Sequence, residues 1–423
     1  MEEDASWGML AGLAAGIALG TLAHAAAGGS PGLERFVALV TEPVGKIFLR
    51  LLFMLVLPLV VSSLALGVAG LGDLRALGRI GLRTLVYTVV VSSIAVAIGV
   101  GLVNWLRPGD GLPEELRARL LAQAAKASPA TPGVRAEGVD FLVQLVPSNV
   151  VRAMADGDVL SVMVFSLLLG IGLSLTPTEA ARRFEKSLEG LYDVVMRLLG
   201  LVIRLAPWGV ACLVFTTVAR LGWGVLAQLA GFVGVVLLGL AIQQFVVYSV
   251  AVRWLGGMSP RRFFRDVRPA MLTAFSTSSS NATLPTSLLV AEERLGLPPQ
   301  VSRFVLTIGS TANQNGTALF EGVTVLFLAQ FYGVPLTLSQ QLGVAFVCIL
   351  GGIGTAGVPA GSLPVVAMIL GSVGVPPEGV GLVLGVDRFL DMCRTTLNVT
   401  GDLAAAVVVS RGEPHATELA PAS

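Results

Sequence analysis

Five polar side chains recur at helical spacing in the last long apolar stretch of the chain, which continues to about residue 410. They are Asp387, Asp391, Arg394, Asn398 and Asp402. At 3.6 residues per turn, this spacing places all five within roughly 80° of arc on one helix. A charge at the centre of a membrane span costs about 3 kcal/mol on insertion scales, so such residues pair, face the protein interior, or serve a ligand or ion. The alternative is a purely structural role, in which an Asp–Arg pair joins two helices. Such a role needs only one carboxylate and one arginine, whereas this stretch carries three carboxylates, an arginine and an asparagine.

The chemistry of these side chains indicates a small amphoteric ligand with an extra acid group. The planar fork of Arg394 suits a carboxylate, Asp391 lies one turn away and suits an ammonium, and Asn398 can donate to a second carboxylate. Asp402, Asn398 and Asn313, with carbonyls of glycine-rich turns, offer hard oxygen ligands for a small cation. This donor set suits a reversibly bound monovalent ion such as Na⁺ better than a transition metal.

The composition is that of a protein embedded in a lipid bilayer. Of 423 residues, 54% are hydrophobic and 13% are charged, whereas soluble domains carry about 25% charged residues. The sequence therefore predicts a polytopic helical membrane protein. The net charge of +1 provides no basic field for nucleic acid. The three cysteines, Cys212, Cys348 and Cys393, cannot all pair, so no disulfide framework is expected.

Several apolar stretches are long enough to span a bilayer. They cover residues 7–27, 36–71, 84–106, 141–175, 188–221 and 226–255, and the fourth is interrupted by polar residues. Basic clusters follow the second, fourth and sixth stretches, and the positive-inside rule places these clusters and both termini in the cytoplasm. The hydrophilic stretch 107–140 then lies outside the cell. Because the acidic start lacks the features of a signal peptide, we expect the first apolar segment to be retained.

Two segments in the last 160 residues are apolar but broken in the middle. Residues 271–295 centre on STSSSNATLP, and residues 341–374 centre on GIGTAGVPAGSLP. We expect Pro285, Pro359 and the glycines to interrupt the helix in each segment. Irregular backbone at membrane depth persists only where it lines a cavity or is buried in protein. The sequence therefore predicts two re-entrant helical hairpins, and the echo of NATLP in AGSLP indicates an internal repeat with a binding site near mid-membrane.

Other classes of protein fit the sequence less well. An intramembrane hydrolase needs a Ser–His pair, a Ser–Lys pair or a metal site, but the only histidines are His24 and His415, and no lysine lies in the broken segments. The GxxxxGKS or GxxxxGKT loop of ATP-driven proteins is absent. We therefore predict that the chain is not an enzyme. An ion channel stays open as an alternative, since broken polar helices also form filters, but a charge pattern that matches an amino acid favours a carrier.

Several strings carry a resemblance to a known family. Four strings resemble signatures of the dicarboxylate/amino acid:cation symporters, the glutamate transporter family. They are SSSNATLP, NQNGTALFEG, GTAGVP and DRFLDMCRTTLNVTGD. FLRLLFMLVLPLVVSSL and RLAPWGV extend the resemblance to nearly the whole chain. It implies an all-α polytopic membrane protein with eight transmembrane spans, two re-entrant helical hairpins and inverted repeats. It also implies a homotrimer that works by an elevator mechanism.

The resemblance also implies a division into a scaffold and a moving transport domain. Spans 1 and 2 of the scaffold cover residues 1–76, and scaffold spans 4 and 5 cover residues 141–222. The transport domain comprises span 3, within residues 77–106, and residues 223–415, which hold span 6, hairpin 1, span 7, hairpin 2 and span 8. An extracellular loop covers residues 107–140, and a tail covers residues 416–423.

The substrate contacts implied by the resemblance centre on Arg394, which would clasp a side-chain carboxylate. Asp391 would take the amino group, Asn398 the α-carboxylate, and Asp387 would orient the arginine. The further contacts would come from Thr395, Thr317, Ser280 and the backbone near Val358. Family members for neutral amino acids lack the arginine, and those for plain dicarboxylates lack the aspartate at 391. Because both are present here, an acidic amino acid, aspartate or glutamate, is expected.

The ion sites implied by the resemblance differ in completeness. The first comprises Asp402 and Asn398 with carbonyls of Gly309 and Asn313. The second comprises Thr311 with carbonyls of Gly352, Ile353 and Thr355. In the third, the usual NMDGT is NQNGT, so Gln314 and Asn315 replace a methionine and a sodium-binding aspartate. Fewer coupled sodium ions than in typical members are expected, or a proton in place of one.

The expected function is secondary symport of acidic amino acids, coupled to Na⁺ and with H⁺ as a further coupling ion, without an organic cofactor. The expected location is the cell (inner) membrane. A carrier of plain dicarboxylates and an uncoupled, channel-like conductor on the same scaffold are the alternatives.

Overall fold

The protein is all-helical throughout the described part of the chain. The computed structural model describes residues 2–70, 79–111, 146–156, 159–222, 224–354 and 362–412. The helices of the first half are α1 (Glu2–Ala27), α2 (Pro31–Phe36), α3 (Glu42–Met54), α4 (Val56–Gly70), α5 (Arg79–Leu106), α6 (Val150–Asp156), α7 (Val159–Leu175), α8 (Glu179–Ile203) and α9 (Ala206–Leu221). Those of the second half are α10 (Gly224–Ile242), α11 (Tyr248–Val250), α12 (Pro260–Thr277), α13 (Ser280–Leu289), α14 (Pro299–Ala312), α15 (Asn315–Tyr332), α16 (Leu338–Gly354), α17 (Ser362–Ser372) and α18 (Val380–Ser410).

Two helices of the described chain are long and apolar enough to cross a membrane, Arg79–Leu106 and Leu226–Leu255. The second of these contains two π-helical turns, Gln243–Val247 and Ala251–Leu255. Glu179–Val202 and Ala206–Arg220 form a pair bent by 57° that counts as a third if it is one span. These helices agree with a membrane protein, and the count of eight spans stays a prediction.

The first predicted hairpin consists of α12 and α13, which are separated by a sharp turn. Ser278 adopts a left-handed conformation with φ of 50°, and the side chain of Ser279 accepts a hydrogen bond from the Ala282 N–H at 3.2 Å as the N-cap of α13. The prediction that Pro285 breaks this segment was wrong, because Pro285 lies inside α13. Two consecutive serines supply the left-handed turn and the cap, whereas a proline removes only one backbone donor.

The second predicted hairpin consists of α16 and α17. The residues between these helices, 355–361, lie outside the described part of the chain, and with them the predicted break at Pro359. Both arms are apolar and pack against α15. Each of the two predicted hairpin segments thus contains two helices within the described chain.

Helix α15 is the centre of the core, with almost every side chain buried. It packs against α5, α10, α16 and α18. Helix α18 in turn contacts α12, α14 and α15, so that its polar stripe faces other helices. A helix that is buried all round belongs in the interior of a bundle. The two segments with the densest polar motifs, 313–317 and 387–402, are therefore placed side by side.

Glycines allow close helix packing at the opposite side of α18. Gly12, Gly16 and Gly20 of α1 lie against α9, where an added Cβ would come within 3.1 Å or less of α9 atoms. Helix α18 also meets these two helices, since Gly385 faces Leu13 and Gly381 faces Leu213. Small residues at regular spacing let helices approach closely where no hydrophobic effect drives them together.

Candidate functional site

The charged centre of the site is Arg394, whose side chain is 2% exposed. Its Nε donates to Asp391 Oδ1 at 2.9 Å, and its Nη1 donates to Asp387 Oδ1 at 2.9 Å. The guanidinium carbon lies 4.3 Å from the centre of the Phe320 ring. Helical spacing brings all three ionic partners to one face of α18, as the sequence predicts. The arrangement fixes the plane of the guanidinium and compensates its charge with two buried carboxylates.

Asn398 joins α18 to the N-terminus of α15. Its Nδ2 donates to Gln314 Oε1 at 2.6 Å and to Thr317 Oγ1 at 3.2 Å, and its Oδ1 accepts from the Gly316 N–H at 2.7 Å. A Cβ at Gly316 would lie 2.7 Å from the backbone oxygen of Arg394. Glycine is therefore required where the two helices cross. The start of α15 therefore lies against the backbone of α18 at Arg394.

The candidate cation site lies one turn further along α18. Asp402 is 3% exposed, and its Oδ1 accepts a hydrogen bond from Asn313 Nδ2 at 2.9 Å. A Cβ at Gly309 would lie 2.6 Å from the same carboxylate oxygen, so the backbone of α14 approaches it directly. Asn313 Oδ1 is buried and accepts no hydrogen bond from any described residue. An undercompensated carboxylate beside a free amide oxygen fits a small cation that prefers oxygen ligands.

Asn315 lies at the position where the resemblance implies an altered third ion site. Its Oδ1 accepts from Ser92 Oγ at 2.6 Å, and its Nδ2 donates to Tyr248 OH at 3.1 Å. Tyr248 OH in turn donates to the backbone oxygen of Leu397 at 3.3 Å. Thr88 and Val91 of α5 are also buried. Both ends of the Asn315 amide are thus used by neutral hydrogen bonds, with no carboxylate among them.

The remaining predicted site residues lie on four helices, α13, α14, α16 and α18, or outside the described residues. Ser280 is the first residue of α13 and is buried, with Gln314 Nε2 3.5 Å from its Oγ. Thr395 is buried on α18. The Thr311 hydroxyl donates to the Ile308 backbone oxygen of its own helix at 3.0 Å. The backbone oxygen of Gly352 accepts from the Gln314 N–H at 3.3 Å, and Ile353 follows in α16. Thr355 and Val358 lie outside the described residues.

Gln243 and Gln244 make interhelical hydrogen bonds. Gln244 Nε2 donates to Thr400 Oγ1 at 3.0 Å, and Gln243 Nε2 donates to the Val91 backbone oxygen at 3.3 Å. Both glutamines begin a π-helical turn, which widens the helix at this point. The two glutamines thus join the π-helical turn that follows α10 to α5 and α18.

Glu321 is a site residue that the sequence analysis missed. It is fully buried in α15, one turn after Thr317, and neither carboxyl oxygen is hydrogen-bonded within the described chain. A Cβ at Gly351 would lie 2.9 Å from its Oε2, so the carboxyl group points at the first arm of the second hairpin. Glu321 is the only ionisable group with a formal charge in α15, and a search for single charges in apolar helices finds it.

Arg388 is the second residue that was missed. It is 9% exposed, its Nη1 lies 3.9 Å from Asp391 Oδ2, and its Nε is buried without a hydrogen bond in the described structure. On a helical wheel it lies roughly 40° beyond Asp402, which places it outside the stripe of five polar residues. Asp391 is therefore flanked by two arginines, Arg388 and Arg394, on the same helix.

Buried charges near a discontinuous helix, here α12 and α13, are typical of secondary membrane transporters. The model of the sodium:dicarboxylate symporter family matches residues 6–412. The chain belongs to this family, in agreement with the resemblance carried by its motifs. The family is one of transporters.

Curated relatives align with most of the chain. The proton/sodium-glutamate symport protein of Bacillus subtilis (strain 168) is 34% identical over 408 residues, which is 96% of this chain and 93% of the relative. The proton/glutamate-aspartate symporter of Escherichia coli (strain K12) is 33% identical over 411 residues, 96% and 92% of the two chains. The C4-dicarboxylate transport protein of Anaeromyxobacter sp. (strain K) is 34% identical over 377 residues, 88% and 84%.

Proposed function

We propose that the protein is a secondary active symporter of acidic amino acids, aspartate or glutamate, in the cell (inner) membrane. The observation that carries the proposal is the buried Arg394, held between Asp387 and Asp391 next to Asn398. The names of two relatives, a glutamate and a glutamate-aspartate symporter, support it.

Substrate binding is proposed to proceed by exchange of ionic partners. The side-chain carboxylate of the substrate takes the fork of Arg394 and displaces Asp391, while Asp387 keeps the guanidinium in its plane. The freed carboxylate of Asp391 receives the substrate ammonium. The second carboxylate of the substrate takes the Nδ2 of Asn398, with further donors from Thr317, Thr395, Ser280 and the backbone near Val358. Each charge of an acidic amino acid thereby gains a partner of opposite sign or a hydrogen-bond donor.

The coupling ions are proposed to be Na⁺, bound next to the substrate. Asp402 and Asn398, with backbone carbonyls of Gly309 and Asn313, would form one site, in which the buried carboxylate supplies the charge. Thr311 with the carbonyls of Gly352, Ile353 and Thr355 would form a second site. Asn398 would serve both the substrate and the first ion, so occupation of one site would favour occupation of the other.

The third sodium site is proposed to be lost and a proton to take its part. Asn315 carries no charge and uses both ends of its amide in hydrogen bonds to Ser92 and Tyr248. Glu321 is a buried carboxyl without a hydrogen-bond donor among the described residues, and such a group is stable only when it is neutral. Protonation of Glu321 when the site closes would carry one H⁺ with the substrate. The words "proton/sodium" in the name of the Bacillus subtilis relative support this coupling.

The architecture is proposed to follow the family resemblance. Residues 1–76 and 141–222 would form a trimerising scaffold, and residues 77–106 and 223–415 a transport domain that moves like an elevator across the membrane. The contacts of α18 with α1 and α9 would then lie at the sliding interface. Both termini would be cytoplasmic. A carrier of plain dicarboxylates is the second candidate, because Arg388 gives Asp391 a partner other than an ammonium.

Uptake into proteoliposomes tests the proposal. Labelled aspartate is expected to accumulate under an inward Na⁺ gradient, and Arg394→Ala is expected to abolish accumulation. Arg303→Ala, which removes an exposed ion pair with Glu292, is the control and should leave uptake unchanged. Uptake that is indifferent to both Na⁺ and pH gradients would contradict the coupling. Currents without concentrative uptake would favour the channel-like alternative.

A further inference from the structure

Helix α12, the first arm of the first predicted hairpin, carries a stripe of exposed residues along one side. The stripe consists of Arg261, Arg265, Arg268, Leu272 and Phe275, which follow each other at alternating intervals of four and three residues. At 3.6 residues per turn this spacing places the five side chains within roughly 80° of arc. The exposed side of α12 is therefore cationic in its first half and apolar in its second half.

The arginines of this stripe have few acidic partners. Residues 251–278 include five arginines and a single acid, Asp266. Asp266 is shared by Arg262 and Arg265, whose Nε atoms lie 3.5 and 2.9 Å from its carboxylate oxygens. Arg261 and Arg268 form no ion pair with any described residue.

The acidic residues that follow α13 do not neutralise the stripe. Glu292 pairs with Arg303 at 2.9 Å. Glu293 forms no ion pair within the described chain, and Arg294 next to it offsets its charge. The stripe thus keeps a positive charge that attracts anions from outside the described chain.

Ring packing sets the level of the stripe relative to the long apolar helix Leu226–Leu255. The chain reverses over residues 256–259, and the Phe264 ring of α12 then lies 5.5 Å from the Phe245 ring of the long helix. Arg265 is therefore at about the level of Phe245. The long helix has 30 residues, and at 1.5 Å per residue it exceeds a hydrocarbon layer of about 30 Å by about ten residues. A projection of this length at the end next to α12 brings Arg265 to the boundary between hydrocarbon and headgroups.

We propose that the arginine stripe of α12 binds the headgroup of an anionic phospholipid, whose acyl chains lie along Leu272 and Phe275. The guanidinium fork matches a phosphate group. From Arg261 to Arg268 the helix rises about 10 Å, which is enough to cross a headgroup layer of about 5–8 Å. Trp254, at the end of the preceding long helix, is 73% exposed, as is typical of a residue at the bilayer interface.

The net charge of the headgroup decides which lipid is bound. An anionic headgroup supplies the counter-ion that the described chain does not give to the stripe, whereas a zwitterionic headgroup brings a cation with its phosphate. The positive-inside rule assigns the stripe to the cytoplasmic leaflet, which is the leaflet with a negative surface potential. The inference is independent of the proposed substrate.

Thermal unfolding of the purified protein in a neutral detergent tests the inference. The probes are phosphatidylglycerol, which is anionic, and phosphatidylcholine with the same acyl chains, which is zwitterionic. The dependence of the unfolding temperature on lipid concentration gives the affinity for each lipid. We expect phosphatidylglycerol to bind at least about tenfold more tightly, since each basic residue near an anionic lipid surface contributes about fivefold. Arg261→Gln/Arg265→Gln/Arg268→Gln should lose this preference.

The matched control is Arg182→Gln/Arg183→Gln/Lys186→Gln, which removes the same charge from exposed residues of α8. It should keep the preference for phosphatidylglycerol. If the triple variant of α12 does not fold, Arg261→Gln/Arg268→Gln takes its place, because neither arginine has an ion pair to lose within the described chain.

Three results would overturn the inference. One is equal affinity of the parent protein for the two lipids. Another is a preference for phosphatidylglycerol that persists in the α12 variant or is lost to the same extent in the α8 control. The third is stabilisation of the parent by inorganic phosphate or glycerol 3-phosphate to the same extent as by phosphatidylglycerol, which would show that the stripe binds a soluble anion instead of a lipid.

Discussion

Asn315→Asp introduces a carboxylate at the proposed third ion site and is predicted to add one sodium ion to the coupling. The side chain is fully buried, and the new carboxylate keeps the Ser92 Oγ donor at 2.6 Å. Its other oxygen faces Tyr248 OH at 3.1 Å, which can donate only by giving up the Leu397 backbone oxygen at 3.3 Å. Hydrogen bonds to a charged group contribute about 1.5–3 kcal/mol each, so two hydroxyls offset part of the burial cost.

The remaining cost makes the variant depend on a cation. A buried carboxylate that lacks a counter-ion destabilises a protein by about 3–5 kcal/mol. At 1.36 kcal/mol per tenfold change, 3 kcal/mol corresponds to a preference of about 100-fold for the sodium-bound form. We therefore expect the variant to unfold at a lower temperature than the parent without Na⁺ and to recover when Na⁺ is added. The slope of log Kd for aspartate against log Na⁺ concentration should steepen by about one, since each coupled ion adds one unit.

Calorimetric titration of aspartate at several Na⁺ concentrations measures this slope, and thermal unfolding with and without Na⁺ measures the stability. Asn104→Asp is the matched control, because it makes the same change at an exposed residue that hydrogen-bonds only Gln341 in the described structure. It should alter neither quantity. An unchanged slope and an unchanged sodium dependence of unfolding in Asn315→Asp would show that this position is not an ion site.

Three further substitutions test other parts of the site. Gly316→Ala places a Cβ 2.7 Å from the Arg394 backbone oxygen and should lower the free energy of unfolding by about 1–3 kcal/mol. The control Gly322→Ala meets only ordinary contacts and should be tolerated. Equal stability of the two variants in thermal unfolding would contradict the close crossing of α15 and α18. Asp402→Asn should raise the Na⁺ concentration for half-maximal aspartate binding at least about tenfold. An unchanged concentration would show that Asp402 is not a ligand of the coupled ion. Glu321→Gln cannot bind a proton, so uptake should lose its dependence on the pH gradient and keep that on Na⁺; an unaltered pH profile would exclude Glu321 as the proton site.

The geometry within α18 could be predicted from the sequence because helical spacing alone determines it. The pairings of Arg394 with Asp387 and Asp391 follow from residues three and seven positions apart on one face. The interruption between α12 and α13 was also predictable, since the serine-rich stretch of this segment does not fit a continuous span. The position of the break was not, because Pro285 is accommodated inside α13 while Ser278 makes the turn. A left-handed serine has no distinctive local signal.

Contacts between helices could not be obtained from spacing. The sequence places Asn398 and Gln314 in motifs, but only the crossing of α15 and α18 brings them to 2.6 Å. Ser92 and Asn315 are equally remote along the chain and hydrogen-bond across the core. Arg388 was not predicted for a different reason, because it lies just outside the face of the helix that carries the five polar residues. Long side chains reach neighbours that a helical wheel separates.

Isothermal titration of aspartate into the purified protein, at varied Na⁺ concentration and pH, tests the central claim most directly. Binding is predicted to require Na⁺, to tighten with a log–log slope of about two for two coupled ions, and to disappear in Arg394→Ala. Aspartate binding that is equally tight without Na⁺, or that survives in Arg394→Ala with unchanged affinity, would contradict the account of this buried ionic centre as the substrate site of a sodium-coupled carrier.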